Sequence, residues 1–135
     1  MSGVKVIRAL LVADTALLAV VPAARVIAGV LPQGTALPAV ALTEVSTAEV
    51  SRIDAQAVYA LVECCVQITI FVADYPQQKQ LLDLVRKACN YKRGTVAGVV
   101  VSSVRRESNG PDFNDPAAGF YMQSIDFKVI YHEPN

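Results

Sequence analysis

Histidine and cysteine are scarce in this chain, and neither sign of charge is in excess. Its 135 residues hold one His, three Cys, and 12 Lys+Arg against 12 Asp+Glu. Zero net charge removes any whole-protein argument for nucleic acid or an anionic membrane as the main partner. A single His and no paired CxxC leave no metal-binding pattern. No GxSxG elbow and no Cys–His spacing offer a place for a nucleophile. No catalytic residue, metal or cofactor is therefore expected. Cys64 and Cys65 are adjacent, with Cα atoms ~3.8 Å apart, closer than a normal disulfide spans. With Cys89 they read as small hydrophobes in a reducing compartment.

Long apolar runs are also missing. The best one, residues 9–21, is broken by Asp14 and is too short to span a membrane. Lys5 and Arg8 before it and Pro22-Ala23-Ala24 after it imitate a secretory signal, but Asp14 is ill placed for the apolar region of one. The chain is thus expected in the cytoplasm at synthesis, without a membrane partner. No internal repeat or low-complexity tract is present.

What the chain does have is apolar density: 53% of residues are hydrophobic and 18% charged. That suffices for one domain, residues 1–135, with its own core. A neutral, apolar small protein has little colloidal repulsion, which suits a subunit of an assembly. The clearest stretch is residues 61–90. Val62, Cys64, Val66, Ile68, Ile70 and Val72 repeat at period two, which predicts a strand with one buried face. The alternate positions, including Glu63, Gln67 and Phe71, form a mixed face that is wet or meets another protein. Asp74-Tyr75-Pro76-Gln77 reads as an N-cap, and Leu81, Leu82, Val85 and Cys89 give the following helix its apolar stripe. Gln78, Lys79, Asp83, Arg86 and Lys87 are expected outside.

The rest follows by the same rules. Residues 4–13 predict a helix, and Asp14 caps a second one over 15–20. Residues 25–30 read as a short extended segment, 32–34 as a turn, and 39–45 as a strand opened by Pro38. Residues 46–56 are polar and read as a long loop or arm. Gly94 is expected to end the helix, 95–105 to form a Val-rich strand, and 106–119 a second long polar loop. Residues 120–131 close the sheet, with Tyr121, Ile125, Phe127, Val129 and Tyr131 on one face. The order predicts an α+β fold: a mostly antiparallel sheet, helices packed on one face, and long polar loops.

In this order the chain resembles the tail terminator, or tail completion, proteins of long-tailed bacteriophages. The resemblance is carried by Asp14-Thr15-Ala16-Leu17, Arg25-Val26-Ile27, Pro32-Gln33-Gly34, Leu37-Pro38 and the strand Val66-Gln67-Ile68-Thr69-Ile70-Phe71. It is completed by Asp115-Pro116-Ala117-Ala118-Gly119-Phe120-Tyr121 and Ser124-Ile125-Asp126-Phe127-Lys128-Val129. Arg25-Val26-Ile27 departs from the family by lacking an aromatic. The resemblance implies a hexameric ring on the head-proximal end of the tail tube. The ring stops tube polymerisation, joins the tail to the head connector and passes DNA through its lumen without reading sequence. It implies a location in the virion neck and no catalysis.

On that reading the interface candidates are Glu49, Arg52 and Asp54 in the first loop, Glu63, Gln67 and Phe71 on the long strand, and Arg105, Arg106, Glu107, Asp112 and Phe113 further on. Arg105, Arg106 and Glu107 suit ion pairs between subunits, or an ordinary charged strand end. With Lys92 and Arg93 the arginines also offer phosphate contacts, although no aromatic residues interleave them. Asn109, Asp112, Asn114 and Asp115 are oxygen-rich but miss calcium-loop spacing, and read as turn formers. Phe120 and Tyr121 read as core and strand packing rather than a ligand cage. The alternatives are another neck or tail component, such as a head-side stopper or a tube subunit. More distant is a small enzyme or ligand-binding domain, for which no convergent polar set is visible.

Overall fold

The computed structural model describes residues 2–32, 34–50, 59–115, 117 and 119–134. The fold is α+β. Helix α1 spans Ser2–Ala13 and α2 Thr15–Leu18. Strands β1 (Val26–Ala28), β2 (Ala39–Glu49) and β3 (Tyr59–Val72) follow. Then come α3 (Tyr75–Cys89), β4 (Lys92–Val96), β5 (Val99–Asn109), β6 (Phe113–Asp115) and β7 (Phe120–Pro134). The strands form one sheet in the order β1-β2-β3-β7-β5-β4, with β6 also on β7. Among the described strands only the β1–β2 pair is parallel. None of the described helices is long and apolar enough to cross a membrane.

The period-two face of β3 is the floor of the core. Val62, Cys64, Val66, Ile68, Ile70 and Val72 are buried, opposite the equally buried Ile125, Phe127, Val129 and Tyr131 of β7. Val4, Ile7 and Leu11 of α1 and Leu81, Val85 and Cys89 of α3 close over them. Each such large side chain contributes roughly 1.5–3 kcal/mol on burial. Gly3 lets α1 lie close to β3, because a Cβ there would stand 2.6 Å from Cys64 Sγ. The caps read from the sequence are in place: Asp14 Oδ1 accepts from Leu17 N at 2.9 Å, and Asp74 Oδ1 from Gln77 N at 2.8 Å.

Several expectations are corrected. Both polar stretches, read as loops, are strand in part. Residues 46–49 continue β2 against β3, past a bulge between Glu44 and Ser46. Residues 106–109 continue β5, and 113–115 form β6. Residues 51–58 of the first stretch lie outside the described residues. The strand expected over 95–105 is a hairpin, β4–β5, turning at Ala97-Gly98 with φ of 51° and 80°. Two positive φ values make the primed turn that suits the sheet's twist. The helix ends at Cys89 with Asn90 as its C-cap, so Gly94 lies in β4 and does not terminate it. Helix α2 stops at Leu18, short of residue 20, and within 25–30 only Val26–Ala28 is strand. Gln78, expected outside, is fully buried; its Oε1 has no partner among the described residues.

Candidate functional site

With the helices on one face, the sheet leaves its other face open. Cross-strand neighbours on that face are Phe71–Met122, Thr69–Ser124, Gln67–Asp126, Cys65–Lys128, Glu63–Ile130 and Leu61–His132. The alternation that buries one set of residues fixes this set outward. Beside Lys128 on the next strand stands Arg105.

The middle of this face is an ion cluster. Lys128 Nζ lies 2.9 Å from Glu63 Oε1 and 3.4 Å from Glu107 Oε1. Its hydrogen bonds to Glu63 and then Glu107 raise the Lys128 pKa above the ordinary value. Cys65 Sγ is 3.6 Å from Glu107 Oε2. Burial, then the charge of Asp126, push its thiol pKa up. Asp126 accepts from Ser108 Oγ at 3.5 Å, and its other oxygen is buried without a partner among the described residues. Arg105, Arg106, Glu107 and Lys128 join Asn90 and Tyr91 around an open depression of about 340 Å³. Such exposed pairs contribute little to stability; their consequence is a fixed pattern of charge for a partner to match.

One end of the face is aromatic. Phe120 packs 6.4 Å from Phe71 and 6.4 Å from Phe113, the latter pair stacked at 26°. Phe113 remains 57% exposed. Phe120, read as strand packing, thus belongs to a surface row, whereas Tyr121 does pack against the core. A polar strut holds this end to α3. Asp112 accepts from Lys79 Nζ at 2.7 Å and from Tyr75 OH at 2.8 Å. Lys79 also donates to Gln123 Oε1 at 2.8 Å. Asp112 is held below the usual carboxylate range by Lys79 and then Tyr75.

The structure therefore brings Glu63, Gln67, Phe71, Arg105, Glu107 and Phe113 onto or beside one face. Glu49 sits apart, at the exposed end of β2. Arg106 turns to the α3 side, where its N–H donates to Asn90 Oδ1 at 3.0 Å and its side chain lines a depression with Leu82 and Arg86. Asp112 serves the strut. Arg52 and Asp54 lie outside the described residues. The oxygen-rich residues do not converge, since Asn114 accepts from Gln78 and Asp112 from Lys79. His132 Nε2 stands 3.1 Å from Ser102 Oγ across the β5–β7 pair. Burial holds Cys64 and Cys89 protonated, with pKa values pushed up to about 11 and about 12. Sequence reasoning missed Lys128, Asp126, Phe120 and Met122 as members of the face. The signal was available: Ser124, Asp126 and Lys128 alternate with Ile125, Phe127 and Val129.

A family model described as Tail completion protein gp17 matches residues 5–132. Among solved structures, a chain in the virion of a native gene transfer agent (GTA) particle is similar in fold. The TM-score is 0.68 at 13% sequence identity, covering 96% of this chain and 93% of that one. No curated protein sequence matches.

Proposed function

The chain belongs to the Tail completion protein gp17 family, and from that premise we propose that it is a tail terminator. Family membership places it among the structural proteins of phage particles. On our reading, residues 1–135 act as one domain, and six copies close into a ring on the head-proximal end of the tail tube. The ring stops tube polymerisation, offers its opposite side to the head connector, and lets DNA pass through the lumen without sequence recognition. It works by binding and catalyses nothing. It is made in the host cytoplasm and ends in the neck of the virion.

The observation that carries this reading is the family match over nearly the whole chain. The open face supports it in physical terms. Each subunit of a ring must present two unlike patches to its neighbours, and this face carries an aromatic row at one end and a charge cluster at its centre. A stable contact buries roughly 800 Å² per partner.

Native mass across a concentration series tests the reading. A six-chain species that stops growing is the expected result. Open-ended polymers would mark a tube subunit instead, because a tube must extend and a terminator must stop.

A further inference from the structure

We propose that neighbouring copies join by their sheet edges, the free half of β2 in one chain pairing in parallel with β4 of the next. This deepens the ring reading above and rests on it.

Among the described residues both edges are open. β1 covers β2 only at Val40, Ala41 and Leu42, with Gly29 N donating to Leu42 O. Residues 43–49 face no described strand on that side, and all seven are exposed. At the far end of the sheet β4 is the last strand, and Lys92 to Thr95 are exposed. Unpaired strand edges are templates for another chain.

The edges also match in height. Following cross-strand partners, Lys92 leads through Val104, Val129 and Cys64 to Thr47. Gly94 leads through Val101, Tyr131 and Val62 to Glu49. The four intervening steps are all antiparallel, so β2 and β4 run the same way. A neighbour turned about an axis along the strands meets its partner edge with no shift along them. A contact without a shift closes into a ring where its rotation divides a full turn, whereas a shifted one winds into a helix.

Charge selects this pairing over the alternatives. The free half of β2 carries Glu44 and Glu49 and no cation, while β4 carries Lys92 and Arg93 and no anion. Two β2 edges repel, two β4 edges repel, and β2 against β4 attracts, which favours a head-to-tail contact over a two-fold dimer. Lys92 pairs with buried Val104 and Glu49 with buried Val62, so both lie on the helix side of the sheet. One apolar contact accompanies the charges. Tyr91, the residue before Lys92, is 82% exposed at a φ of 62° that glycine or asparagine would adopt at lower cost. Level with it on β2 is Ser46, next to the bulge residue Val45, which is 56% exposed.

The test places cysteines at Ala48 and Arg93, which come opposite each other on the open side. Within one chain these positions are four strand steps apart, about 19 Å around the sheet, beyond disulfide reach. The double variant Ala48→Cys/Arg93→Cys, in a Cys65→Ser background, is oxidised with copper phenanthroline. Native mass is recorded on the same samples. The expected result is a ladder ending at the six-chain band, at least tenfold stronger than with either single cysteine. A ring in native mass without that ladder overturns the edge pairing and leaves the ring reading standing. No closed species at all overturns both. As a second arm, Lys92→Glu/Arg93→Glu weakens assembly at least tenfold and adding Glu49→Lys restores it; unchanged assembly overturns the pairing.

Discussion

Replacing Gly3 by alanine tests how closely α1 is seated on β3. The new Cβ would lie 2.6 Å from Cys64 Sγ, 3.1 Å from Cys64 Cβ and 3.3 Å from Val66 Cγ2. The sulfur has little room to retreat, since Cys64 is fully buried and its Sγ already touches Glu44 Oε1 at 3.3 Å. Overpacking of this kind costs ~1–3 kcal/mol. Against it stands the better helix propensity of alanine, at most ~1 kcal/mol in a helix interior and less in the first turn. The net expectation is a loss of roughly 1–2 kcal/mol, or ~3–7 °C in Tm for a chain of this length. Cys64→Ala alone should cost ~1 kcal/mol, the worth of one methylene-sized group. In that background, however, Gly3→Ala should be close to neutral. Urea unfolding of all four proteins gives the coupling energy. A Gly3→Ala variant that is stabilised, or losses that simply add, would refute the close approach.

Three further outcomes are expected. Ala97→Asn should raise stability by ~0.5–1 kcal/mol in urea unfolding, because asparagine accepts the left-handed conformation that Ala97 holds at φ 51°. Gln78→Met should be neutral or stabilising by ~1 kcal/mol on the same measurement, because it removes a buried oxygen without a described partner at similar volume. The Asp112 carboxyl has a folded pKa below its ordinary value of 3.8. Its contribution is therefore present above that value and lost as pH falls through the lower folded value. Urea midpoints of wild type and Asp112→Asn should differ by a constant amount above pH ~5 and converge in stronger acid.

Much of the fold is legible wherever burial imposes a period. Val62 to Val72 and Ile125 to Tyr131 announce themselves, and so do Asp14 and Asp74, because a side-chain cap leaves a fixed local pattern. Polar strands are harder to read. Residues 46–49 and 106–109 run beyond the helices' cover, so nothing obliges them to be apolar, and polarity there resembles a loop. The β4–β5 hairpin hid because Ala97-Gly98 occupies a turn where Asn-Gly or Asp-Gly is the usual signal. Gln78 sits on the apolar stripe of α3 despite its amide, which only the packing of α3 on the sheet reveals. The open face was half visible. Glu63, Gln67 and Phe71 follow from the alternation of β3, but their meeting with Lys128, Glu107 and Phe120 depends on strands distant in sequence.

The most direct measurement is the length distribution of tails, by electron microscopy, in particles made without this protein. The account predicts headless tails of uncontrolled length, and restored length and head attachment when the protein is supplied. Tails of normal length joined to heads in its absence would contradict it.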